Sequence, residues 1–130
     1  VRALGIDMSR FCFQVDYDKF LLPHGSIDDL INHSCQPNTG IRLTGTGYDL
    51  LALGAIEVDD ELTYDYSTYI ASPERLSCSC GASSCRGEIG RFGELDPRLQ
   101  AYYIDREVVG AFVRVDGPSE AAVVGRRATR

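Results

Sequence analysis

The stretch CSCGASSC places Cys78, Cys80 and Cys85 in a C-x-C-x4-C pattern. Cys78 and Cys80 are too close to bridge each other without strain. Gly81 and the small residues before Cys85 leave the loop free to turn three thiolates toward one point. Zinc in a structural site takes four ligands in a tetrahedron, with Zn–S bonds of about 2.3 Å. The cluster supplies three, so a fourth must come from elsewhere. Cys35 is one candidate and Cys12 another, although Cys12 sits in FCFQV and reads as a small core residue on a strand. His24 and His33 also carry ligand nitrogens. Five cysteines are an odd number, and no N-terminal signal pattern is visible, which argues against a disulfide framework.

Cys35 lies in INHSCQPNTG (31–40), a polar run with neither helical nor strand period. Buried, its polar groups cost free energy unless they are paired. Exposed, it offers a thiol to solvent. A partner is therefore expected. Further on, Leu62, Tyr64 and Tyr66 alternate in ELTYDY (61–66). A strand would put them on one face, with the two phenols about 7 Å apart and Asp65 pointing the other way. Such a pair is either core or a pocket wall whose hydroxyls can orient an amine or polarise a leaving group.

The elements that must position these residues read as short strands. FCFQV (11–15) alternates, with Phe11, Phe13 and Val15 on one face. LLPHGS is a turn or loop, and SIDDLI a short helical turn with Ser26 as its cap. IRL (41–43) and YDLLAL (48–53) form a hairpin through TGTG. Val58 and Leu62 flank Asp59-Asp60, a pair suited to a tight hairpin turn. SPERLS links to the cysteines. DPRLQAYYIDREVV is helical from Asp96, with Pro97 in the first turn. AFVRV (111–115) reads as a strand, and GPSEAAVVGRRATR as a solvated basic tail. No internal repeat is visible, and the pattern is that of a mainly β fold.

A chain of 130 residues is one domain by default and buries roughly two-thirds of its unfolded surface. Its 44% hydrophobic and 25% charged content is ordinary for a globular protein. The net charge of −6 argues against nucleic-acid binding through a basic face. It suits solubility, or a Lys- or Arg-rich protein partner. No apolar run approaches the ~20 residues of a membrane span. The start at Val1 rather than Met reads as a processed product, an alternative start or a fragment.

NHSCQPN (32–38), ELTYDY (61–66) and CSCGASSCRG (78–87), in that order and spacing, resemble the C-terminal half of a SET-domain protein lysine methyltransferase and its post-SET zinc segment. The resemblance covers about residues 10–90. It implies a mainly β, SET-domain-like β-clip with a knot-like C-terminal half, short helices and a post-SET zinc segment. It divides the chain into a partial SET domain (1–76), a post-SET zinc-binding segment (77–93) and a C-terminal helical extension with a flexible tail (94–130).

The resemblance also assigns roles. Asn32 and His33 contact S-adenosylmethionine, and Ser79 approaches its adenine. Cys35 joins Cys78, Cys80 and Cys85 on zinc. Tyr66 lines the catalytic channel. Tyr64 occupies the position that influences how many methyl groups are added; a Tyr there points to lower methylation states. The implied reaction is direct attack of a neutral lysine amine on a sulfonium methyl, driven by positioning and electrostatics. The implied partner is a lysine-containing protein or peptide, with neither nucleic acid nor membrane, in an intracellular compartment that is cytoplasmic or, in a eukaryote, nuclear. The sequence departs from the family in one respect. Only about 30 residues precede Asn32, where a full SET domain has an N-terminal half with a Gly-x-Gly loop. Gly45-Thr46-Gly47 falls between the signature motifs and reads as a hairpin turn instead. The chain is then a truncated piece of an active enzyme or a short form. The alternative function is a non-catalytic, zinc-stabilised SET-like module that binds a peptide or protein.

Overall fold

A computed structural model describes residues 13–16, 18–23, 25–71 and 74–114. Phe11, Cys12, His24 and the tail at 117–130 lie outside the described residues. Within them, short strands pair two by two, and no closed barrel forms. β1 (Phe13–Asp16) pairs antiparallel with β2 (Lys19–Leu21). A 3-10 turn at Ile27–Leu30 follows, as expected for SIDDLI, but the Ser26 hydroxyl does not cap it. β3 (Asn32–His33) opens the polar run. β4 (Thr39–Leu43) and β5 (Tyr48–Ala52) form the expected hairpin, in register from Thr39↔Ala52 to Leu43↔Tyr48. The Thr44 amide donates to the Gly47 carbonyl at 2.8 Å, so Gly45-Thr46-Gly47 is the hairpin turn.

The tyrosine motif departs from expectation. β6 is only Thr63–Tyr64, and it pairs in parallel with β3, Asn32↔Thr63 and His33↔Tyr64. The chain does turn at Asp59, whose φ is 68°. No hairpin forms there, however, and Val58 and Leu62 stay exposed. The polar run takes the pairing instead. Asn38 Oδ1 accepts from the Thr63 amide at 3.0 Å, and the Thr39 hydroxyl donates to the Thr63 carbonyl at 2.6 Å. Tyr66 leaves the strand and begins a 3-10 turn, Tyr66–Thr68.

β7 (Leu76–Ser77) and β8 (Glu88–Ile89) pair antiparallel and bracket the cysteine loop. Helix α1 (Pro97–Asp105) starts at Asp96, whose carboxylate accepts from the Arg98 amide at 2.8 Å. It stops short of the expected Val109. The chain reverses at Glu107, φ 58°, and the Val108 amide donates to the Tyr103 carbonyl at 3.2 Å. The expected strand at 111–115 is a helical turn, α2 (Ala111–Arg114). Its neighbours Phe112 and Val113 are both buried, whereas successive strand residues would face opposite sides.

One core joins Ile41, Tyr64, Tyr69, Phe92, Leu95, Tyr103, Val108, Phe112 and Val113. Five of these follow residue 94, so the described C-terminal residues, 95–114, supply a large part of the core. Phe13 stacks onto it, its ring 5.1 Å from Tyr48 and 5.2 Å from Tyr69. Gly40 makes room for Val108: a Cβ there would lie 2.7 Å from the valine side chain.

Candidate active site and metal centre

The sulfurs of Cys35, Cys78, Cys80 and Cys85 all lie within 4.8 Å of one another. Cys35 Sγ is 3.7 Å from Cys78 Sγ, which is 3.8 Å from Cys85 Sγ. A tetrahedron built on bonds of about 2.3 Å has edges of about 3.8 Å, so the spacing fits a single zinc-sized ion. The loop reaches this arrangement through left-handed turns at Gly81 (φ 78°) and Gly87 (φ 75°). The Cys78 amide donates to the Gly87 carbonyl at 2.9 Å and closes it.

The four sulfurs have unequal surroundings. The Cys35 amide donates to Cys80 Sγ at 3.5 Å, and the Arg86 amide to Cys35 Sγ at 3.4 Å. The Cys80 thiol is drawn down to about 6, first by that Cys35 amide and then by Ala82. Burial pushes Cys78 up to about 12 and raises Cys35. Four free cysteines with their sulfurs this close converge on one point, where a divalent cation would take them as thiolates.

His33 has a different place from the one a fourth ligand would take. Its Nδ1 accepts from the Tyr66 amide at 3.1 Å. The ring proton therefore sits on Nε2, which donates to Cys35 Sγ at 3.3 Å. Both ring nitrogens are committed, and burial lowers the imidazole pKa despite the nearby Asp65. Asn32 is exposed and donates to the Glu61 carboxylate at 2.7 Å. Ser79 is exposed on the cysteine loop. The rest of the polar run is paired as well: the Ser34 hydroxyl accepts from the Gln36 amide, and Asn38 Nδ2 donates to the Glu61 carbonyl.

Tyr64 and Tyr66 are brought together, their ring centroids 4.8 Å apart and tilted by 41°. The His33 ring meets Tyr66 edge-on at 5.4 Å. Tyr64 is buried and Tyr66 half-buried. The Tyr66 hydroxyl donates to the Ile31 carbonyl at 2.8 Å. Burial raises both phenol pKa values.

Asp65 does point away from the tyrosines, but into a buried network that the sequence reading did not foresee. Its carboxylate receives two bonds of 2.9 Å from the Arg86 guanidinium and one of 3.1 Å from the Tyr103 hydroxyl. It also accepts from the Ser67 amide at 3.1 Å, capping the turn that begins at Tyr66. The sequence held one clue: an Asp between two pocket tyrosines, and an Arg immediately after the last clustered cysteine.

Comparison with known proteins points to one family. The SET domain family model matches residues 4–67. A histone H3-lysine(4) N-trimethyltransferase of Arabidopsis thaliana is 40% identical over 90 residues, covering 65% of this chain and 8% of that protein. A histone-lysine N-methyltransferase of Oryza sativa subsp. japonica is 38% identical over 90 residues, with 65% and 9% covered. An H3 lysine-4 specific histone-lysine N-methyltransferase of Emericella nidulans is 37% identical over 87 residues, with 61% and 7% covered. The chain thus spans less than a tenth of the length of these relatives. Residues 4–67 of this chain therefore belong to the SET-domain family.

Proposed function

We propose that this chain is the catalytic part of a protein-lysine N-methyltransferase that uses S-adenosylmethionine, is braced by one zinc, and acts on a lysine of a histone-like tail. The observation that carries the reading is the junction of β3 and β6, where the thiol cluster and the Tyr64–Tyr66 pair meet through His33. The names of the relatives, and an acidic chain suited to a basic peptide, support the substrate class. A histone substrate makes the nucleus, rather than the cytoplasm, the compartment to examine. The same reading divides the chain at 1–76, 77–93 and 94–130, with the last part supplying core side chains.

S-adenosylmethionine, when bound, supplies a methyl group on a positively charged sulfur that departs as a neutral thioether. The exposed Asn32 amide and Ser79 hydroxyl offer polar edges for such a nucleoside. The His33 ring is already engaged, so His33 has only its backbone to offer. The four cysteines would hold zinc as a structural ion, a four-thiolate set that leaves it no catalytic role.

The amine must arrive neutral to act as a nucleophile. The Tyr66 hydroxyl donates its hydrogen bond to the Ile31 carbonyl, so its oxygen lone pairs are free to accept an amine N–H and aim the nitrogen. Tyr64 narrows the same wall and bears on how many methyl groups fit. Neither phenol is a base, since burial raises both, and Asp65 is held by Arg86. Catalysis therefore rests on positioning and electrostatics.

The test is calorimetry of the zinc-loaded chain with S-adenosylmethionine, followed by labelled methyl transfer to an H3 amino-terminal peptide. Binding and transfer to one lysine are expected. Absence of both, with zinc bound and the fold intact, would favour the non-catalytic binding module.

A further inference from the structure

We propose that Arg86 is a positioning residue that transmits the state of the cysteine cluster to Tyr66. The proposal rests on the functional reading above only for the role of Tyr66. Arg86 directly follows Cys85. Its backbone amide donates to Cys35 Sγ at 3.4 Å, and its guanidinium grips both oxygens of Asp65 at 2.9 Å. One residue thus holds the sulfur cluster with its main chain and the neighbour of Tyr66 with its side chain.

The Asp65 end is rigid. Its side chain has no exposure, and it caps the Tyr66–Thr68 turn through the Ser67 amide. Arg86 Nη2 also lies 3.4 Å from the Ser67 hydroxyl, which donates to the Gly90 carbonyl at 2.8 Å. Two parallel bonds fix the plane of the carboxylate as well as its charge. A lysine replaces the charge but not the fork.

The cysteine end is the movable one. Ser79, Gly81, Ser83, Ser84 and Gly87 are exposed, so the cluster and the Cys78–Gly87 backbone bond, not apolar packing, hold the loop in place. A cavity of about 320 Å³ beside Arg86 is also lined by Glu88 and Glu94. Arg75 already bonds both carboxylates, so when the cluster opens the guanidinium gains space there but no free carboxylate. Asp65 then keeps a buried charge without its main partner, and the turn carrying Tyr66 must rearrange.

Amide hydrogen exchange on the zinc-loaded full chain tests this with a readout separate from activity. In Arg86→Gln, zinc stays at one per chain, and the Tyr66 and Ser67 amides exchange about tenfold faster than the uniform rise that lower global stability gives the β4–β5 amides. Arg86→Lys, the milder variant should Gln not fold, gives a smaller rise of the same pattern. Chelation speeds the same amides in the native chain and adds little in Arg86→Gln, because the two act through one link. Unchanged exchange at Tyr66 and Ser67 would overturn the proposal, as would an equal rise in β4 and β5. In the transfer assay, kcat falls about tenfold while the peptide KM stays within about twofold. If the native chain transfers no methyl group, the functional reading fails, while the exchange comparison still decides the role of Arg86.

Discussion

Asp65 and Arg86 lie 21 positions apart in the chain and meet through two parallel hydrogen bonds of 2.9 Å each. The pair ties the turn that carries Tyr66 to the end of the cysteine loop, and Tyr103 adds α1 to the same carboxylate. Three regions of the chain therefore share one buried charge.

That relationship predicts the effect of Asp65→Ala. Removing one partner of a buried ion pair costs about 3–5 kcal/mol. The Arg86 side chain keeps 23% exposure, so water softens the loss, and the low end, about 3 kcal/mol, is expected. Urea unfolding measures it. A loss under about 1 kcal/mol would mean that the pair contributes no more than a surface salt bridge.

The cysteine cluster predicts one zinc per chain by metal analysis. Changes outside the ligand shell already cost tenfold to about a hundredfold in metal affinity. Cys35→Ser, which removes a ligand, should cost more than about a hundredfold. Chelation should first loosen residues 74–90. Unaltered affinity and stoichiometry in Cys35→Ser would remove Cys35 from the ligand set.

Gly40→Ala tests the packing of the C-terminal region on β4. The new methyl meets the Cβ and both γ-carbons of Val108 at 2.7–2.9 Å. These atoms are close to the backbone and cannot swing away. Overpacking should destabilise by about 1–3 kcal/mol. Val108→Ala in the same chain should recover part of that loss, so the double variant loses less than the two single losses combined. Strict additivity would show that the two positions do not touch.

Tyr66 predicts a pH profile. Its phenol has an ordinary pKa of about 10, and burial raises it further. A raised value keeps the neutral form to higher pH, so Tyr66 stays protonated through the assay range. The transfer rate should climb from pH 7 to about 9 as the substrate lysine loses its proton, whose ordinary pKa is about 10.4. Tyr66→Phe should lower the rate about a hundredfold and keep the climbing limb. A downturn below about pH 9 in the native chain, absent from the Phe variant, would show that Tyr66 ionises and that burial does not control it.

Sequence alone determined the local chemistry. Three thiols in a short flexible loop, a hairpin closed by Gly45-Thr46-Gly47 and a helix opened by Asp96-Pro97 depend on neighbours along the chain, and each has its expected place. Tertiary structure decided what depends on distant partners. Cys35 meets Cys80 across 45 positions, and β6 pairs with β3 rather than with a nearby turn. Tyr66 leaves the strand because Asp65 caps a turn beneath it, and the segment at 111–114 coils because two adjacent side chains must enter one core. Periodicity reports which faces are apolar, whereas a buried charge finds its partner only when the chain has closed around it.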